Sequence, residues 1–278
     1  MKGPATQANT ASEQPLNLLE FLGDGIAWIT LNRPEQRNAM NRAARAALID
    51  SLDACRNAEP PVRVIVLTGS GSAFCAGVDL KEAARKEPQP DTTGERHTSW
   101  RAVQEEIARH PAIVIAAVNG FALGGGTTLI NVADLALAAD DAQIGMPEIG
   151  FGMYPALAGP STQLRLSRKH AAWMVLTAER IDGRTAQRWG LVNHAVPPEQ
   201  LTEAALALAR KVASYDAVAL QWSKKALWEV PARTSDWSRA LEYGEEVNGQ
   251  IRARTAATQD GLNAFTAGRR NPGQGAQG

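Results

Sequence analysis

Apolar and polar positions alternate or run together in blocks that change period along the chain. NLLEFLG (17–23) and GIAWITLN (25–32) lie on either side of a Gly-Asp-Gly step at 23 to 25, which predicts a β-hairpin near the N-terminus. From Asn41 to Cys55 apolar residues return at helical spacing, at Ala43, Ala47, Leu48, Leu52 and Cys55. VRVIVLTG (62–69) is then an unbroken apolar run of strand length, closed by a glycine-serine loop. Strand, helix, strand predicts a parallel crossover. A helix over 98–109 precedes a second buried strand, PAIVIAAV (111–118). A helix in TTLINVADL (127–135), a strand in LALAA (135–139) and a short strand in AQIGM (142–146) follow, before Pro147. Beyond about Gly159 the periodicity is helical, near 161–178, 183–190, 198–213, 216–229 and 235–266, and only LVNHAV (191–196) interrupts it as a strand.

These patterns predict an α/β core followed by a helical C-terminal part. Residues 1–14 are small and polar, without the apolar core of a secretory signal, and are expected to form a disordered leader. The core is expected over 15–200, the helical region over 201–268 and a flexible glycine-rich tail over 269–278. The charged stretch from Lys81 to Thr98, with Pro88 and Pro90, reads as a mobile loop with helical ends.

Composition narrows the function classes. The chain has 278 residues, 44% of them apolar, enough for a sizeable core. Lys plus Arg equals Asp plus Glu at 29 each, so no overall field favours nucleic acid or an anionic membrane. No run approaches the roughly 18 apolar residues of a membrane span. Two cysteines, Cys55 and Cys75, are too few for a disulfide framework and lack zinc spacing, which points to a reducing compartment, the cytoplasm by expectation. His97, His110, His170 and His194 are dispersed without metal spacing and read as surface or capping residues. No GxSxG elbow or phosphate-binding glycine motif is present. Trp173, Trp189, Trp222, Trp228 and Trp237 lie in helical stretches and read as core or subunit-interface anchors.

One stretch concentrates backbone freedom. NGFALGGGTTL (119–129) places Gly124, Gly125 and Gly126 where a helix begins. A helix start aims unpaired N–H groups and a positive dipole end at the preceding loop, so the triplet fits an anion site built from main-chain donors. A close helix–strand contact that tolerates no side chain explains the same residues equally well. A second loop, VLTGSGSAFCAGVDLKEA (66–83), also runs from a buried strand through glycines toward a helix. Two converging backbone donors stabilise charge that develops on a carbonyl oxygen.

The blocks LNRPEQRNAMN (31–41), GSAFCAGVDLKE (71–82), IAAVNGFALGGGTTL (115–129), IGMPEIGFG (144–152), LTAERIDGRTAQRWGLVNHAV (176–196) and DGLNAFTAGRR (260–270) resemble, in order and spacing, the crotonase superfamily of enoyl-CoA hydratases and isomerases. The resemblance implies a spiral of ββα turns with a helical C-terminal trimerisation region, assembled as a homotrimer or homohexamer. It implies an acyl-CoA thioester, with coenzyme A entering as part of the substrate and no separate cofactor, metal, nucleic acid or membrane partner. The thioester oxygen would sit between the backbone N–H groups of Val78 and Gly125.

Glu148, after Pro147, matches one of two hydratase glutamates; its residue type alone also fits a solvated loop position. The other glutamate normally stands two residues after the glycine triplet, where this chain has Thr128. A threonine is no base near neutral pH, although its hydroxyl can hold a water or substrate oxygen. That departure leaves a hydratase and a single-carboxylate isomerase or hydroxycinnamoyl-CoA hydratase-lyase both open. A catalytically weak CoA-binding scaffold is the reading outside enzymes; some relatives bind RNA, which the balanced charge does not favour. PALAGPSTQLRL from Pro155 departs from the usual PGxGGTQRL and, with Met153, Tyr154, Trp100 and Phe151, is expected to border the acyl pocket. By the same matching, Arg37, Ala39, Ala76, Asp79, Lys81, Gly124, Tyr154 and Phe265 would line the substrate and CoA path, with Arg269 and Arg270 toward the adenine end.

Overall fold

The computed structural model describes residues 14–79, 81–82, 98–233 and 236–268. Residues 1–13 of the expected leader, the charged stretch 83–97, and the tail with Arg269 and Arg270 lie outside the described residues.

In chain order the strands are β1 (Asn17–Gly23), β2 (Ile26–Leu31), β3 (Val64–Gly69), β4 (Ala73–Cys75), β5 (Ile113–Val118), β6 (Phe121–Leu123), β7 (Leu135–Ala139), β8 (Ile144–Gly145) and β9 (His194–Val196). The predicted hairpin is β1–β2, antiparallel with Asn17 opposite Leu31, and its turn runs through Gly23, Asp24 and Gly25, all at positive φ. From β2 onward the main sheet is parallel, in the order β1-β2-β3-β5-β7-β9. Every residue of β3 and β5 is buried, as continuous apolar runs in a two-sided parallel sheet require.

The crossover between β2 and β3 is α1 (Arg42–Arg56), capped by the Asn41 side chain, which accepts from the Ala44 N–H. Its buried face is Ala44, Arg45, Leu48, Ser51, Leu52 and Cys55, so the expected stripe is right from Leu48 onward but Ala43 is exposed. Arg45 occupies that face because its guanidinium donates to the carbonyls of Met40 and Thr98.

A second sheet, β4-β6-β8, is also parallel; the short strand expected in AQIGM is its β8, whereas the hydrophobic pattern gave no sign of β4 and β6. Its strands have three, three and two residues, too short to display a period. Pairing across the sheet, Ala73 with Phe121 and Leu123 with Gly145, draws the two glycine loops side by side.

The remaining helices are α2 (Trp100–Arg109), α3 (Gly125–Val132), α4 (Ala158–Arg165), α5 (Arg168–Thr177), α6 (Gly183–Trp189), α7 (Leu201–Ala213), α8 (Ala217–Arg233), α9 (Trp237–Arg252) and α10 (Ala257–Thr266). The single periodic segment expected over 161–178 is two helices, because Ser167 caps α5 with its side chain on the His170 N–H. The segment 235–266 divides likewise into α9 and α10. Helix α7 lies on the main sheet with Leu201, Ala205, Ala209 and Ala213 buried.

His110 is the C-cap residue of α2, as the capping reading has it, but is buried rather than on the surface: Nε2 pairs with the Leu52 carbonyl, Nδ1 accepts from the Ala112 N–H, and burial lowers its pKa to about 4. Trp173 is 48% exposed, which removes it from the core. Among the described residues no helix is long and apolar enough to cross a membrane.

Candidate active site

The two glycine loops meet at the N-terminus of α3. Gly124 precedes the helix at φ 51°, and its N–H donates to the Gly145 carbonyl on β8. A Cβ at Gly126 would stand 1.9 Å from the carbonyl oxygen of Cys75, so only glycine lets α3 lie on β4. Gly77 packs in the same manner: a Cβ there would come within 2.5 Å of the Leu123 carbonyl and 2.9 Å of the Gly125 nitrogen. The two explanations of the triplet therefore divide between its members. Gly126 packs on a neighbouring backbone, whereas Gly124 and Gly125, also buried, stand at the helix start against the side chains of Glu148 and Trp100.

Two backbone N–H groups in the loops that meet here have no acceptor set by their own element. Gly125 is the first residue of α3, where the helix itself supplies no acceptor. Val78 bridges Met40 in parallel fashion: Met40 N–H donates to Gly77, and Asp79 N–H donates to Met40. In a parallel bridge the central residue's own N–H turns away from the partner strand, and for Val78 that is away from Met40.

This second loop is braced from several sides. The Asn38 amide donates to the Ala73 and Ser70 carbonyls, and its oxygen accepts from the Arg33 N–H. Asn119 accepts from Gly69 N–H and donates to the Gly71 carbonyl. Both asparagines stand inside quoted motif blocks, RNAM and VNG, but residue type alone did not single them out. Asp79 is engaged within the protein at both oxygens: Oδ2 pairs with Arg33 at 3.0 Å, and Oδ1 accepts from the Lys81 and Glu82 N–H groups. Burial opposes its ionisation, but these donors hold its carboxyl below the usual range.

Glu148 enters from a short 3-10 turn, Pro147–Phe151, with proline at its start. Its carboxylate lies against Gly124, so that a Cβ on that glycine would be 2.6 Å from Oε1. The side chain is half-buried, Oε2 is fully covered and has no hydrogen-bond partner, and burial raises the pKa. Thr128, one turn into α3, is completely buried, and its hydroxyl lies 3.4 Å from the Gly124 carbonyl. The Trp100 ring covers Gly125, at 2.5 Å from the position a Cβ would take.

The other expected residues distribute as follows. Arg37 holds the loop through its carbonyl, which accepts from Ala76 N–H, and places its guanidinium 5.0 Å from the centre of the Phe121 ring. The Ala39 carbonyl accepts from Arg33. Lys81 is exposed one step beyond the braced loop. Tyr154 is half exposed, its hydroxyl accepting from Gln163, on a rim with exposed Phe151 and Met153. Phe265 lies in α10, and its side chain is outside the described residues. The structure thus gathers Val78, Gly124, Gly125, Thr128 and Glu148 at one junction, with Arg37, Ala39, Ala76 and Asp79 in the loop beside it. Among the described residues no cluster of three or more His, Cys, Asp or Glu side chains is placed to hold a metal ion.

A half-buried carboxylate set against the start of a helix is equipment suited to moving a proton. The profile of the Enoyl-CoA hydratase/isomerase family matches residues 22–272, and the chain belongs to that family, within the crotonase superfamily of enzymes. It is 37% identical over 244 residues to the 2,3-dehydroadipyl-CoA hydratase of Escherichia coli, covering 86% of this chain and 91% of that one. It is 35% identical over 248 residues to the hydroxycinnamoyl-CoA hydratase-lyase of Pseudomonas fluorescens, covering 87% of this chain and 89% of that protein. Among solved structures, the enoyl-CoA hydratase of Mycobacterium smegmatis superposes with a TM-score of 0.84 at 32% identity, over 93% of this chain and 98% of that one.

Proposed function

We propose that the chain acts on an unsaturated acyl-CoA thioester through single-carboxylate acid–base chemistry. The N–H groups of Val78 and Gly125 receive the thioester oxygen, and Glu148 moves the proton at the neighbouring carbon. The observation that carries this reading is the Glu148 carboxylate, desolvated and set against Gly124, one residue from the free end of α3. When that carboxylate removes a proton from the α carbon, negative charge passes to the thioester oxygen, where two fixed donors lower its energy without reorganising. Returning the proton at another carbon shifts the double bond; adding water instead places its oxygen on the β carbon and its hydrogen on the α carbon. Thr128, in the second glutamate's place and buried at the Gly124 carbonyl, leaves Glu148 to carry the proton alone. Arg37 and Lys81 are the cations this reading assigns to the CoA phosphates, and the exposed rim at Phe151, Met153 and Tyr154 borders the acyl group. Assembly as a homotrimer or homohexamer, with no separate cofactor, belongs to the same reading.

Turnover of a panel of 2-enoyl-, 3-enoyl- and aryl-propenoyl-CoA esters identifies the reaction. Glu148→Gln is expected to lower the rate on the preferred ester by about 10²- to 10⁴-fold while keeping the affinity for a saturated acyl-CoA. Unchanged turnover in that variant overturns the assignment of Glu148.

A further inference from the structure

Two polar atoms at the junction are buried and have no hydrogen-bond partner: the indole Nε1 of Trp100 and Oε2 of Glu148. Trp100 is 8% exposed and is the first residue of α2, held there by the Ser99 side chain, which accepts from Ala102 N–H. An indole nitrogen only donates, and an ionised carboxylate only accepts. An orphaned buried donor is costly unless a bound molecule answers it. These two orphans belong to the side chains that cover adjacent glycines, Gly125 and Gly124.

We infer that Trp100 contacts the substrate directly, its indole N–H donating to the oxygen at the acyl β carbon while Glu148 accepts the hydrogen of that same oxygen. The inference rests on the acyl-CoA reading above and extends it. A group that must both accept and donate is a hydroxyl or a water, which describes the oxygen before and after addition across the double bond. The six-membered ring of the indole lies on Gly125, through Cη2, Cζ2 and Cζ3, which sets the side chain beside the thioester end of the site rather than the far end of a long acyl chain. Thr128 stands where a second carboxylate would hold this oxygen, and its hydroxyl is turned to the Gly124 carbonyl. Trp100 supplies the missing contact.

The test compares equilibrium binding of 3-hydroxybutyryl-CoA and butyryl-CoA to the full chain and to Trp100→Phe, which keeps an aromatic wall but no donor. The preference for the hydroxy ester is expected to fall about three- to tenfold in the variant, the range of one neutral hydrogen bond, with butyryl-CoA affinity changed less than twofold. Exchange of the α hydrogens of butyryl-CoA in heavy water, which needs Glu148 but no β oxygen, is expected to vanish in Glu148→Gln. An unchanged preference, or an equal loss of affinity for both esters, overturns the role of Trp100. If the variant does not fold, the wild-type protein decides alone, since equal binding of the two esters overturns the inference. Wild-type protein that binds neither ester overturns the acyl-CoA reading itself, and this inference with it.

Discussion

At Glu148, burial raises the pKa, so the folded chain keeps this proton at a pH where the unfolded chain has released it. The sign follows. The native state holds more protons than the unfolded state above the unfolded value of about 4.3, and stability contributed by this group is lost as pH rises through the folded pKa. Glu148→Gln should therefore raise the melting temperature at pH 7 to 8 and leave it unchanged below about pH 4. Equal gains at both pH values would show that packing, not desolvated charge, is responsible. This residue was legible as a candidate from its motif, but its environment was not: the raised pKa needs Gly124 on one side and a covered Oε2, and neither can be read from MPEIG.

Helix α3 is the element on which the junction depends. Its position is fixed where Gly126 lies on the Cys75 carbonyl, a backbone atom that cannot swing aside. Gly126→Ala should push α3 away from β4 and cost about 1–3 kcal/mol in overpacking, read from the urea midpoint, with activity lost beyond what that destabilisation explains. Gly150→Ala, where a Cβ meets nothing within 4 Å, is the control and should leave the midpoint nearly unchanged. A midpoint equally unmoved by Gly126→Ala would contradict the packing argument. The glycine triplet itself was conspicuous in the sequence. What each glycine packs against depends on β4 and β6, strands of three residues each, too short for any periodicity to reveal.

For the molecule as a whole, the helical C-terminal region is tied to the α/β core by an ion pair inside the protein. Lys224 on α8 is 3% exposed, lies 2.8 Å from Asp134 and donates to the carbonyls of Ile107 and Ala112, while Asp134 also accepts from Val114 N–H. Burial pushes both groups toward neutrality, and their mutual attraction opposes it. Lys224→Met should cost about 3–5 kcal/mol, because it leaves the Asp134 carboxylate buried without its partner. Lys224→Met with Asp134→Asn should cost less than the sum of the two single changes, measured by denaturant unfolding as a double-mutant cycle. Additive losses would show that the pair acts as two independent groups.

The sequence by itself determined the hairpin, the parallel crossover, the long strands β3, β5 and β7 and the two glycine loops, because each is a local pattern of period, turn chemistry or unbroken apolar length. Its ordered motif blocks carried the family resemblance as well. Only the tertiary structure decided that β4, β6 and β8 form a second sheet, that His110 is buried, that Lys224 reaches Asp134 across ninety positions of chain, and that Trp100 closes over Gly125. These depend on groups far apart in sequence meeting in space, where burial and unanswered hydrogen-bond donors arise from the packing and leave no mark on the residues nearby.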